Sequence, residues 1–221
     1  MKEDNSKITT TQNEAHRSWT IPCIQEIDEL DMCEIIPINH QLWGTDYPVK
    51  AYGRMAMIPE KEWIVSMTAE ETDPLRRYQK DNDPVYRDSA LEVFLNFCPG
   101  DKRARYMNFE INANGAMLSQ FGSKGDRSFI SDLRESYSAI CQVSIEENKW
   151  SVLLRIPLEL INELYMSDAI TDMMKAGGII SFNLYKISED KEEEHYISSS
   201  FIPVDKPDFH LPEYFMTGIV K

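Results

Sequence analysis

The chain has 221 residues, 42% of them hydrophobic, which is enough for one sizeable core in a single globular domain. Its formal charge of -14, from 37 acidic against 23 basic residues, argues against binding nucleic acid or an anionic membrane through a basic surface and favours a neutral or cationic small ligand. No apolar run approaches the length of a membrane span.

In chain order, the first eighteen residues, MKEDNSKITTTQNEAHRS, are polar and without period, and predict an N-terminal arm (1–18) ahead of one domain over 19–221. They lack the apolar core of a signal peptide, so a cytoplasmic protein is expected, although a secreted mature form stripped of its signal reads the same way. Strand-like runs follow at 19–24, 34–38, 51–58, 62–69, 90–97, 105–112 and 116–121, many of them separated by turn residues. Segments 138–146 and 149–156 predict a hairpin turning at Glu147 and Asn148, with Trp150, Val152 and Leu154 facing inward. Pro157 opens a helix carried by Leu158, Ile161, Leu164 and Tyr165, continued over 168–175 and ended by Gly177 and Gly178. Residues 179–187 are again strand-like. The pattern predicts an all-β, antiparallel β-sandwich or jelly roll with one or two short helices.

Cys23, Cys33, Cys98 and Cys141 are widely spaced with no CxxC pair, so reduced thiols are expected rather than a zinc site or a disulfide framework. The histidines, His16, His40, His195 and His210, form no haem-attachment pattern, and the eleven methionines read as core filler.

The densest chemistry lies in residues 84–115, PVYRDSALEVFLNFCPGDKRARYMNFEINANG. There Leu91, Val93, Leu95 and Phe97 alternate with Glu92, Phe94 and Asn96, and Met107, Phe109 and Ile111 alternate with Tyr106, Asn108, Glu110 and Asn112. In the later strand Ile180, Phe182 and Leu184 oppose Ser181, Asn183 and Tyr185. Carboxylates, carboxamides and aromatic rings on one solvent face suit a ligand dense in hydroxyls with apolar C–H faces, which is a sugar. The ordinary wet side of an antiparallel sheet looks the same. A carboxylate pair on neighbouring strands also admits a glycan-processing enzyme using Glu92 and Glu110, although no GxSxG or other nucleophile motif accompanies it, and a protein-interaction sandwich is a further alternative. Asp88-Ser89 reads as a turn cap, and Asn112-Ala113-Asn114-Gly115 as a turn with Gly115 at positive φ.

The segments DPVYRDSALEVFLNF, YMNFEINANGAML, WSVLLRIP, ISFNLYKI and KPDFHLPEYFMTGIV occur in an order that resembles the family 9 carbohydrate-binding modules, in particular the stand-alone family 9-like proteins of the DOMON-like superfamily of ligand-binding β-sandwiches. The resemblance covers about residues 34–221. It implies a non-catalytic protein that holds a mono- or oligosaccharide between two aromatic rings, at positions similar to Tyr86 and Phe209 here, where sugar-binding members commonly have tryptophan. Glu92 resembles the acidic residue of the family's D-S-x-E strand with one extra residue before it, and Glu110 stands where an arginine is frequent. Tyr185 follows the F-N pair at another hydrogen-bonding position, and His210 matches the F-H-x-P-E ending. The candidate binding set is therefore Tyr86, Glu92, Asn108, Glu110, Asn112, Tyr185, Phe209 and His210, with no catalytic residue and no cofactor. Some modules of the family carry structural calcium, but no compact D-x-D loop names ligands for it here.

Overall fold

The computed structural model describes residues 18–167, 170 and 174–221, so the expected arm, apart from Ser18, and most of the expected helical continuation over 168–175 lie outside the described residues. Its strands are β1 (Ser18–Ile21), β2 (Ile36–Ile38), β3 (His40–Gln41), β4 (Lys50–Ile58), β5 (Glu62–Glu70), β6 (Ala90–Asn96) and β7 (Tyr106–Asn112). They continue with β8 (Met117–Ser123), β9 (Asp126–Phe129), β10 (Ile140–Ile145), β11 (Trp150–Pro157), β12 (Ile179–Ser188), β13 (His195–Ser198) and β14 (Met216–Val220). Among the described residues, the helices Ile130–Leu133 and Leu158–Tyr165 and three 3-10 turns complete the order. The helix Leu158–Tyr165 is capped at Met166, which takes the left-handed conformation and whose N–H bonds back to the helix carbonyls. Among the described residues no helix is long and apolar enough to cross a membrane.

The strands form a two-sheet sandwich. The larger sheet runs β1-β14-β12-β6-β7-β8-β9, with β13 alongside the second half of β12 and β3 beyond it, and the smaller runs β10-β11-β5-β4-β2. Every pairing is antiparallel except β1 with β14. Alternation works as the sequence predicts on the inner side: Leu91, Val93, Phe109, Phe182 and Leu184 of the large sheet pack against Trp63, Val65, Trp150, Val152 and Leu154 of the small one. Each such side chain, being essentially unexposed, contributes about 1.5–3 kcal/mol by leaving water.

The outer side of the large sheet departs from expectation. Every residue of β6 and of β7 is buried, so these strands have no wet face. Phe94, Tyr106 and Tyr185, which share the polar parity, gather Leu42, Tyr196, Ile202, Phe209 and Leu211 into a second apolar cluster. A third layer of irregular chain therefore covers part of the sheet.

One polar cluster sits between the sheets. Lys186, on the apolar parity of β12, is fully buried; its ammonium donates to Ser89 Oγ and His195 Nε2, each at 2.7 Å, and lies 3.5 Å from Glu71 Oε2. Glu71, just past β5, accepts further bonds from Ser89 Oγ (2.6 Å), Trp150 Nε1 (2.9 Å) and Tyr47 Oη (2.9 Å). Burial pushes the Glu71 carboxyl up, but the ammonium and three neutral donors outweigh it and hold the group below its ordinary value. For Lys186 complete desolvation outweighs the pull of Glu71, Glu193 and Glu92, and its pKa falls to about 8.

The sheets approach closely at Gly53 of β4, where an added Cβ meets Leu184 Cδ1 at 2.6 Å and the Ser66 carbonyl oxygen at 2.9 Å. The backbone oxygen cannot swing away, so Gly53→Ala is expected to destabilise the fold by about 1–3 kcal/mol, measured as a lower denaturant midpoint at unchanged slope.

Candidate functional site

The cover over the large sheet is incomplete, and the gap is a cleft of about 550 Å³. Its floor holds Glu92 of β6 and Glu110 of β7, directly opposed in register, and its walls include Trp43, Tyr86, Gln120, Arg127, Glu189, Tyr196, Asp208, Phe209 and His210.

One wall is the loop before β6. Asp88, wholly buried, accepts hydrogen bonds from the N–H groups of Arg77 (2.8 Å) and Tyr78 (2.9 Å), from Arg77 Nε (3.2 Å) and from Asn112 Nδ2 (2.9 Å). Asn112 also donates to the Tyr78 carbonyl, while its own oxygen accepts from the N–H groups of Asn114 and Ala116. This lattice fixes the 3-10 turn Val85–Arg87, and with it the half-buried Tyr86 ring, over which Arg87 sits at 5.9 Å. The Tyr86 carbonyl accepts from the N–H of Glu189 (2.9 Å), which joins this wall to the β12–β13 hairpin.

The opposite wall is built by β9 and the chain around residue 210. Gly122, at φ 148°, lets β8 and β9 close tightly, since a Cβ there would lie 2.1 Å from the Asp126 carbonyl oxygen. The hairpin delivers Arg127, which donates to Tyr106 Oη (3.1 Å), His210 Nε2 (3.1 Å) and Gln120 Oε1 (3.4 Å). Arginine can only donate, so His210 Nε2 accepts, and the ring proton sits on Nδ1, donating to Tyr106 Oη at 2.9 Å. Burial and the adjacent guanidinium bring the His210 pKa down to about 3 and keep the ring neutral.

Glu92 and Glu110 are 2% and 5% exposed. Glu110 Oε1 accepts from Asn108 Nδ2 at 3.1 Å, while Oε2 has no partner among the described residues. Desolvation raises the Glu110 pKa to about 7, with Arg127 and Asn108 pulling it down and Glu189 adding repulsion. Glu92 is held well above its ordinary value by burial and then by repulsion from Glu110 and Glu189, against the pull of Lys186.

Of the eight residues singled out in the sequence, the structure brings Tyr86, Glu92, Glu110, Phe209 and His210 to the cleft. Glu92, Asn108, Glu110, Asn112 and Tyr185 do share one side of the sheet, but three of the eight are turned to internal work. Asn112 spends its donors and its acceptor on the loop, Asn108 supports Glu110 from beneath, and Tyr185 is enclosed, donating to the Phe209 carbonyl at 3.1 Å. The expectation of two freely exposed clamp rings is corrected for Phe209. Its ring is 6% exposed, stacked on Tyr185 at 4.0 Å and flanked by Trp43 at 5.4 Å, because the aromatic residues on the outer face prefer each other to water. Arg127, Trp43 and Tyr196 were not legible as site residues. Arg127 lies on a strand of four residues, too short for a period, and Trp43 and Tyr196 come from distant segments.

Among the described residues no group of three or more His, Cys, Asp or Glu side chains comes together that could hold a metal ion. The family model described as Carbohydrate-binding family 9 matches residues 21–220. A crystal structure from Bacteroides uniformis ATCC 8492, of a candidate carbohydrate-binding protein, is similar at a TM-score of 0.75 and 19% identity, over 93% of this chain and 99% of that one. A family 9 carbohydrate-binding module from Caldicellulosiruptor kristjanssonii is similar in its complex with cellotriose (TM-score 0.63, 12% identity, 93% of this chain and 94% of that one). Its complex with glucose gives a TM-score of 0.62 and 13% identity over 93% and 96% of the two chains. No curated protein sequence matches the chain.

Two measurements follow from this geometry. Phe209→Ala removes a ring from a packed cluster and is expected to cost about 3–5 kcal/mol of stability, whereas Tyr86→Ala, at the rim, should leave the melting temperature nearly unchanged. The carboxyl pair also makes stability pH-dependent. The folded chain retains protons on Glu110 between its ordinary value of 4.5 and about 7, where the unfolded chain has released them. The contribution is thus fullest below pH about 4.5 and is lost as pH rises through about 7. Glu110→Gln removes this titration, so its melting temperature should fall less than that of the native chain across that window.

Proposed function

We propose, since this chain belongs to carbohydrate-binding family 9, that its cleft binds a mono- or oligosaccharide without cleaving it. The observation that carries the reading is the pairing of half-buried aromatic rings at the rim, Tyr86 and Trp43, with hydrogen-bonding carboxyls at the floor, Glu92 and Glu110. The rings offer flat apolar contact to the C–H face of a pyranose, and the carboxyls accept from its hydroxyls. Phe209 serves as backing for this wall rather than as a free platform. The volume of about 550 Å³ is of the size that takes one or two sugar rings.

Binding without hydrolysis is supported by how the two acids are placed. A glycosidase sets its carboxyls on either side of the scissile bond, one protonated and one ionised. Glu92 and Glu110 rise side by side from neighbouring strands of one floor, and both are held toward the protonated form by the same burial.

Isothermal titration with glucose, cellobiose and cellotriose, followed by Tyr86→Ala and Glu92→Gln, tests the reading. One of these sugars should bind. Each variant should weaken it by several-fold or more, the scale of one aromatic contact or one hydrogen bond. Aryl glycosides incubated with the native chain should remain intact, and turnover abolished by Glu92→Gln would replace binding with catalysis.

A further inference from the structure

The floor of the cleft carries more acid groups than a neutral sugar needs. Glu92 and Glu110 are opposed in register, which puts such side chains about 4.5–5.5 Å apart at Cβ. Both are more than nine-tenths buried, and Glu110 Oε2 has no partner among the described residues. Glu189 adds a third acid at the rim.

The cations nearby act on the two carboxyls only at longer range, Arg127 on Glu110 and Lys186 on Glu92, and their hydrogen bonds go elsewhere; Arg87 sits by Tyr86 and acts on Glu189. Arg127, the one lysine or arginine lining the cleft among the described residues, points its donors at Tyr106, His210 and Gln120. Lys186 lies on the opposite side of the sheet with Glu71, Ser89 and His195, and Lys124 pairs with Asp208 at 2.8 Å. His210 is neutral and Tyr185 is enclosed. The group that fits a pair of buried carboxyls with a vacant acceptor is a compact cation with several N–H donors, and a primary ammonium has three. Trp43 at the rim adds a face toward which a cation is attracted, while the Tyr86 ring already has Arg87 over it.

We propose that the cleft selects a saccharide bearing a free primary amine, a hexosamine or a de-N-acetylated oligomer of one, with its ammonium seated on Glu92 and Glu110. The inference rests on the carbohydrate reading of the same cleft. Without ligand the two carboxyls hold protons to unusually high pH, for the reasons of burial and mutual repulsion given above. An arriving ammonium stabilises their ionised forms, so where the amine arrives already protonated the carboxyl protons are released to solvent, and where it arrives neutral they pass to the amine itself. A neutral sugar has no such requirement.

Titration calorimetry at pH about 5.5, where the sugar amine is protonated and Glu110 still holds its proton, decides it with three disaccharides: fully de-N-acetylated chitobiose, N,N'-diacetylchitobiose and cellobiose. The amine is expected to bind about tenfold more tightly than either neutral compound. Its heat should change with the ionisation enthalpy of the buffer in the sense of proton release. In Glu110→Gln and Glu92→Gln the ratio of amine to neutral affinity should fall toward one. If cellobiose binds as tightly as the amine, or more tightly, the inference is overturned and the carbohydrate reading stands. An amine preference that survives both substitutions, or that releases no protons, places the ammonium elsewhere and also overturns it. If none of the three binds to folded protein, the inference and the reading beneath it fall together.

Discussion

The structure turns on the enclosure of β6, β7 and β12 from both sides. A sheet with one wet face can carry any polar residue there at little cost, but a sheet covered on both faces must find a partner for each polar atom or leave it desolvated. Most of the outer-face residues find one inside the chain. Asn112 and Asp88 serve each other and the loop above them, and Asn183 donates to Ser198 and Ser200. Tyr185 reaches the Phe209 carbonyl. Glu92 and Glu110 are set apart by opening onto the cleft, and their chemistry is the chemistry of the site.

The same enclosure explains how loops make a rigid wall. The segment leading into β6 would be free to move if its backbone faced water, yet four hydrogen bonds converge on the Asp88 carboxylate and hold it to the sheet. Across the cleft Arg127 ties Tyr106, His210 and Gln120 into one network, so the chain around residue 210 is anchored to the sheet it covers. Each wall is thus an extension of a strand, and ligand contacts sit on elements that do not have to be ordered first.

How much of this could be read from the sequence follows from what alternation does and does not encode. The inner face was legible because Leu91, Val93, Phe109 and Phe182 keep strict parity, and Trp150, Val152 and Leu154 do the same across the sandwich. The shared side of Glu92, Glu110 and Tyr185 was legible for the same reason. The cover was not, since Phe94, Tyr106 and Tyr185 fit equally well as ligand platforms or as the base of a second apolar layer, and only the path of the distant 196–215 segment decides. The short strands β3, β9 and β13 carry two to four residues each, fewer than a period can be read from. Lys186 shares the parity of Ile180, Phe182 and Leu184 but was not singled out, since its partners Glu71 and Ser89 are brought to it only by the folded topology.

Lys186 is the one described lysine buried in the fold, with its amine shut between the sheets while other lysines, such as Lys50 and Lys61, stand in solvent. An amine-acylating reagent can therefore modify those side chains in the native protein but can reach this nitrogen only when the sandwich separates. The rate at which mass spectrometry finds the label at that position is a clock for global opening, built into the chain by a single ammonium on the wrong side of a strand.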